Sequence, residues 1–232
     1  MRVVLFLCFF LCLLNCEDKQ SKNKAKVTTT VKKQQKKTKD TTANKVEAFP
    51  VLDSPSAMEF FLQYDKENKE NKVRITTDFG AINILLFNET KFHRSNFIYL
   101  TKRQYFDGTQ FFRVIDNFMI PGGNGDDMTT AIKRRKIGKY LLPKDTNRGF
   151  KHDRGTVSMP SSDIENPHKL ASPYQFFIVQ QNGGAHHLDG NYTVFGKVIK
   201  GMDVVDKIAA VDTDEADWPL KNVYIRKVEI LE

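Results

Sequence analysis

The chain has few cysteines: its 232 residues contain three, Cys8, Cys12 and Cys16. None follows, so the rest of the chain cannot form an internal disulfide, a thiolate nucleophile or a cysteine-ligated metal site. Long hydrophobic runs are also missing. The twelve-residue apolar run at 3–14 is shorter than the roughly 18 apolar residues that a membrane-spanning helix needs.

Excess charge is absent from most of the chain. The formal net charge is +8, but residues 17–45 carry ten lysines against three acidic residues, and Arg2 adds one more positive charge. Residues 46–232 balance 25 basic against 25 acidic side chains. The positive charge therefore belongs to an N-terminal tail, and we expect no nucleic-acid partner.

The N-terminus, "MRVVLFLCFFLCLLNC", has a basic residue followed by the short apolar run, which is typical of a secretory signal. Its end, "LLNC", resembles the lipobox of bacterial lipoproteins, so residues 1–16 are predicted to be a signal peptide with Cys16 as the lipidation site. Asn15 departs from the small residue usual before that cysteine. The anchored form would lie in the cell envelope, facing the periplasm or the exterior. The alternative is a cleaved signal with an incidental Cys16, on a protein that is secreted or in the secretory pathway.

Three further segments follow this leader. Residues 17–47 are rich in lysine and threonine and are predicted to be a disordered linker, either a membrane tether or a solvated spacer. Residues 48–71 form a predicted helical extension, in which "DSPSAMEFFLQY" starts a helix with Ser54 as N-cap and Pro55 at the first helical position. Residues 72–232 are the predicted folded domain.

Short segments of alternating polarity recur through this domain, among them "KVRITTDFGAINILLF", "GTVSMP", "YTVFGKVI" and "VYIRKVEIL". They are typical of β-strands. "TKFHRSNFIYLTK" and "GMDVVDKIAAV" have the spacing of amphipathic helices. The pattern predicts a mainly β fold, a closed antiparallel barrel capped by two α-helices. The polar stretch 124–154 is predicted to be a long loop, with "KRRK" at 133–136 as a solvated face.

One arginine stands in an unusually apolar setting. In "QFFRVIDNFMIPGG", residues 110–123, Arg113 is flanked by Phe111, Phe112, Val114 and Ile115. One interpretation is a snorkelling arginine, with its stem on the core and its head in water. The other is a hydrophobic pocket with one fixed cationic donor.

Four blocks favour the second interpretation: "YFDGTQFFRVIDNFMIPGG", "GTVSMP", "YQFFIV" and "HLDGNYTVFGKVIKGMDVVDKI". In this order they resemble the cyclophilin-type peptidyl-prolyl cis-trans isomerases, and the resemblance covers about residues 72–231. It implies a closed eight-stranded antiparallel β-barrel capped by two helices, with the active site on its outer face. It also implies an isomerase of X-Pro bonds in polypeptide substrates, monomeric and without a cofactor.

The resemblance assigns the site residues. Arg113 is the donor that stabilises the prolyl nitrogen once amide resonance is lost, and Gln175 lies beside it as the second catalytic residue. The substrate-binding residues are Phe118, Met119, Ser161, Phe177, His187, Leu188 and Tyr192.

Several positions depart from the family pattern. Pro121 stands where the family has a second glutamine, and proline has no side-chain amide to orient Arg113. Ser161 replaces an asparagine, His187 a tryptophan that aids cyclosporin binding, and Tyr192 a histidine. The alternative to an isomerase is therefore a binding or chaperone module that grips proline-containing segments with weak or no catalysis.

Other sites have little support in the sequence. His186 and His187 are adjacent and would point to opposite faces of a strand, so we expect no metal site there. The single tryptophan, Trp218, is predicted to be a packing residue.

Overall fold

The computed structural model describes residues 49–161 and 166–232, all within the compact unit Glu47–Glu232. The predicted signal peptide, the lipidation site Cys16 and the predicted linker lie outside the described residues. Within the described ranges, no helix is both long enough and apolar enough to cross a membrane.

Ten strands and four α-helices are found in the described part of the chain. The strands are β1 (Leu52–Asp53), β2 (Lys72–Thr77), β3 (Gly80–Leu86), β4 (Gln110–Phe111), β5 (Met119–Asn124), β6 (Gly138–Lys139), β7 (Thr156–Met159), β8 (Phe176–Val179), β9 (Thr193–Lys200) and β10 (Val223–Ile230). The helices are α1 (Ser54–Glu67), α2 (Lys91–Lys102), α3 (Met128–Ile137) and α4 (Met202–Ala209).

Eight of these strands close into an antiparallel barrel in the order β10-β2-β3-β9-β7-β8-β5-β4. Alternate residues of each strand point inward, so Val73 and Ile75 of β2 are fully buried while Arg74 between them is partly exposed. The predicted eight-stranded barrel is confirmed. Helix α2 packs against β9 and β10, and α4 against β3 and β5. These are the two predicted capping helices, and α1 and α3 add to them.

Helix α1 begins one residue earlier than predicted. Its N-cap is Asp53, whose Oδ1 accepts a hydrogen bond from the backbone N–H of Ser56 at 2.9 Å. The Ser56 hydroxyl in turn accepts from the N–H of Asp53 at 3.1 Å, which completes a capping box. The prediction of Ser54 as N-cap was wrong because Asp53 reaches the third helical residue, and Pro55 is then the second helical residue.

The predicted loop at 124–154 contains a helix and a strand. Asp127 caps α3 by accepting from the N–H of Thr130 at 2.9 Å. Strand β6 then pairs in parallel with β1 of the N-terminal extension. Gly138 has φ 130°, and a Cβ at this position would lie 1.9 Å from the carbonyl oxygen of Leu52, so only glycine permits this pairing.

The "KRRK" run lies on α3 and is only partly a solvated face. Lys133 Nζ donates to the carbonyl oxygens of Gln104 at 2.8 Å and Asp107 at 2.6 Å. Arg134 Nε donates to the hydroxyl of Tyr105 at 2.8 Å. This helix was not predicted because polar contacts stabilise it. Only two of its residues, Thr130 and Ile137, are buried, which is too few to give an apolar stripe in the sequence.

Candidate active site

Strands β5 and β8 divide their side chains between the barrel interior and its outer face. Ile120 points inward and is fully buried in the main core. Its neighbours Met119 and Pro121 point outward, opposite Val179 and Phe177 of β8 in the antiparallel register. Four side chains of two adjacent strands therefore share one outer face.

A second hydrophobic cluster, separate from the main core, forms on this face. Its buried members are Phe177, Val179, Ala185 and Leu188, with Phe118, Met119 and Tyr192 packed against them. Five of the predicted substrate-binding residues belong to it: Phe118, Met119, Phe177, Leu188 and Tyr192. Because the interior has its own core, this cluster is a second apolar packing region on the outer side of the barrel wall.

The next predicted residue, His187, lies at the rim of the cluster. It is exposed, and its ring stacks on Phe118 with centroids 5.3 Å apart and planes at 23°. His186–Leu188 form a 3₁₀ turn rather than the expected strand, so the argument that the two histidines point to opposite faces does not apply. The described residues contain no group of three or more side chains that could hold a metal ion.

A buried histidine packs against Phe177 of this cluster. His152 is 1% exposed, and its Nδ1 lies 2.7 Å from Oδ1 of Asp189, which also accepts the His152 backbone N–H at 2.8 Å. Its ring lies parallel to that of Phe177, at 6.0 Å and 11°. Burial lowers the pKa of His152, although Asp189 opposes the shift. Sequence reasoning missed this pair, whose members are 37 residues apart.

Arg113 lies in the connection between β4 and β5, and its side chain is 48% exposed. Its Nη2 and Nε both donate to Oδ2 of Asp217, at 2.7 Å and 3.2 Å. The backbone N–H of Val114 donates to the Asp217 carbonyl at 2.9 Å. The guanidinium is therefore partly exposed, as in a snorkelling arginine, but one of its edges is held by a carboxylate.

Asp217 belongs to a loop that sequence reasoning did not connect with Arg113. The two residues are 104 positions apart, and Asp217 is one of several acids in "DTDEADW", so the sequence gives no signal for the pair. Trp218, predicted to be a packing residue, is 50% exposed and lies 6.5 Å from the ring of Phe112. This loop thus contacts Arg113 through one acid and its neighbour Phe112 through one aromatic ring.

Comparison with known sequences identifies the family. The sequence model of the family described as cyclophilin type peptidyl-prolyl cis-trans isomerase/CLD matches residues 72–230. The chain belongs to this family. It is 41% identical over 145 residues to a peptidyl-prolyl cis-trans isomerase of Acinetobacter baylyi, covering 61% of this chain and 73% of that relative. It is 38% identical over 169 residues to the peptidyl-prolyl cis-trans isomerase-like 2 of Rhizopus delemar, but this covers 72% of the chain and only 30% of the relative.

A solved structure shows the same barrel. A cyclophilin type peptidyl-prolyl cis-trans isomerase of Cryptosporidium parvum superposes with a TM-score of 0.59 at 26% identity, over 70% of this chain and 98% of that one. A second structure of the same isomerase, determined in the presence of the dipeptide Ala-Pro, superposes with a TM-score of 0.58 at 26% identity, over 69% of this chain and 99% of that one.

The remaining predicted residues of this cyclophilin domain, Gln175 and Ser161, are not bonded to Arg113. Gln175 is half-buried, two residues before Phe177, and within the described ranges its side chain makes no hydrogen bond. Ser161 forms a β-bridge with Ala171. Neither Gln175 nor Pro121 therefore orients the guanidinium in this structure.

Proposed function

We propose that this cyclophilin is a peptidyl-prolyl cis-trans isomerase that acts on X-Pro bonds of polypeptides. The observation that carries the proposal is the apolar cluster on the outer face of the barrel together with the exposed guanidinium of Arg113, because the β4–β5 connection that carries Arg113 also contributes Phe118 to the cluster. The Cryptosporidium relative determined in the presence of Ala-Pro supports a proline-containing ligand.

The chemistry needs no covalent step. Rotation about the amide is opposed by about 18–20 kcal/mol because resonance gives the C–N bond partial double-bond character. When the amide twists, the prolyl nitrogen recovers its lone pair and accepts a hydrogen bond from Arg113. This interaction exists only in the twisted state, so it accelerates the reaction rather than merely tightening binding. The rings of Phe118 and Phe177, with Leu188, hold the proline ring and exclude water.

Exchange spectroscopy of an Ala-Pro peptide tests this function. We expect the full chain to accelerate cis/trans exchange, and Arg113→Ala to lower kcat/KM about tenfold or more, because each ~1.4 kcal/mol of lost transition-state stabilisation is a factor of ten. Arg135→Ala is the matched control, since it removes another exposed arginine, on α3. Equal activities of the two variants would refute the role of Arg113.

A second candidate function is a binding or chaperone module with weak turnover. Pro121 favours it, because this residue lacks the amide that the family places next to the arginine. The same experiment separates the two: peptide shift changes without faster exchange would support the binding module.

We further propose that the protein assists the folding of exported polypeptides from a lipid anchor at Cys16. The support is the sequence alone, in which a short apolar run ends in a cysteine and a lysine-rich segment follows. Mass spectrometry of the mature N-terminus should detect a diacylated or triacylated Cys16, and Cys16→Ser should abolish that mass. An unmodified peptide starting elsewhere would defeat the anchor and favour a secreted form.

A further inference from the structure

We propose that Asp217 is a positioning residue for Arg113. Its carboxylate binds one edge of the Arg113 guanidinium and leaves the other edge free to bond the prolyl nitrogen. This inference rests on the proposed isomerase function and adds a residue that neither the four sequence blocks nor the pocket residues include.

The contact geometry leaves a defined set of free donors. Arginine has five N–H groups in a planar fork. Asp217 Oδ2 accepts one from Nε and one from Nη2, while Nη1 makes no hydrogen bond to any residue that the structure describes. The pair therefore selects which edge of the fork can reach a substrate.

The loop that carries Asp217 is fixed by its own hydrogen bonds. Oδ1 of Asp214 accepts the backbone N–H groups of Ala216 and Trp218, both at 2.9 Å. The N–H of Asp217 donates to the Asp214 carbonyl at 3.1 Å, and the N–H of Leu220 closes the loop onto the Asp212 carbonyl at 2.9 Å. These bonds fix the backbone from which the Asp217 side chain projects, so its carboxylate is presented to Arg113 from an ordered loop.

The Asp217 backbone links the loop to the segment it supports. Asp217 has φ 64°, a left-handed conformation that aspartate, asparagine and glycine tolerate better than other residues. The same residue accepts the Val114 N–H through its carbonyl, so side chain and backbone both bind the Arg113 segment. Because Asp217 binds both the side chain of Arg113 and the backbone of Val114, it fixes the position of the guanidinium relative to the β4–β5 connection.

No other side chain performs this task in the described part of the chain. Pro121 has no amide, and Gln175 makes no hydrogen bond to Arg113. With a side chain 48% exposed, an untethered arginine would lose rotamer freedom each time it bonded the prolyl nitrogen of the twisted amide. Asp217 removes that cost in advance, so its effect is expected in kcat rather than in substrate affinity.

Two substitutions that keep the left-handed backbone test the role. Asp217→Gly removes the carboxylate, and Asp217→Asn keeps an oxygen acceptor without the charge. We expect Asp217→Gly to lower kcat about tenfold with little change in KM, and Asp217→Asn to retain part of the lost activity. In the Arg113→Ala background, Asp217→Gly should have no further effect, because the two residues act as one unit.

The matched control is Asp78→Asn. Asp78 also forms a two-bond ion pair with an exposed arginine, Arg226, at 2.8 Å and 2.7 Å, but in the turn between β2 and β3. The Asp78→Asn variant should leave kcat unchanged. An active wild type whose Asp217→Gly variant is equally active or faster would overturn the role of Asp217 alone. An equal loss in both backgrounds would reduce Asp217 to a structural residue, and an inactive wild type would overturn the proposed function itself.

Discussion

His93 is a titratable side chain sealed inside the main body of the protein. It lies on α2, is completely buried, and its ring stacks on Phe195 at 6.2 Å. Its ring nitrogens make no hydrogen bond to any described residue. Burial lowers the pKa of His93 to about 4, although the negative charge of Asp145 opposes the shift. The folded protein therefore keeps this imidazole neutral in mildly acidic solution.

This predicts an acid-sensitive stability with a defined sign. The unfolded chain takes up the proton near pH 6.5 and the folded chain only near pH 4, so the free energy of unfolding falls as the pH drops between these values. The loss attributable to His93 is roughly 3 kcal/mol, at 1.36 kcal/mol per pKa unit. Urea unfolding at pH 7 and pH 4 should show a smaller loss for His93→Leu than for wild type. The exposed His168→Leu should behave as wild type, and an equal loss in all three proteins would contradict the prediction.

At the level of elements, the barrel strands could be predicted and α3 could not, for one physical reason. Strand burial follows the period of two, so alternation in "KVRITT" reports directly on Val73 and Ile75 in the core. Helix α3 is held by Lys133 and Arg134 donating to distant groups, and such contacts leave no hydrophobic period to read. Secondary structure stabilised by burial is visible in the sequence, whereas structure stabilised by polar contacts between distant residues is not.

The same division applies to the candidate site. The apolar members, such as Phe118 and Leu188, lie in one cluster as the family resemblance implies. The ion pair between Arg113 and Asp217 was not predictable, because it joins two loops whose approach depends on barrel closure. Family likeness finds residues at matching positions, but it misses a contact made by a residue outside the matching blocks.

On the scale of the whole molecule, the N-terminal extension is packed into the domain although it precedes the matched residues 72–230. Helix α1 packs on α2 and fully buries Ala57 and Phe61. Arg94 of α2 is 1% exposed and donates to the carbonyl oxygens of Asn68 at 3.0 Å and Glu70 at 2.8 Å. These acceptors lie just beyond the end of α1, so the backbone of the extension solvates a buried cation of the barrel domain.

Asp65 of α1 completes this shell through an ion pair with Arg94. Burial would raise the pKa of Asp65, but hydrogen bonds from Lys69 and Arg94 hold it below its ordinary value. We expect Asp65→Asn to lower the free energy of unfolding by about 2–3 kcal/mol, because it leaves a buried guanidinium without its counter-charge. Lys69→Ala, which breaks only the exposed pair at 3.0 Å, should cost less than about 1 kcal/mol. If urea unfolding showed the same loss of unfolding free energy for Asp65→Asn and Lys69→Ala, water would have to reach Arg94, and α1 would not seal the barrel domain.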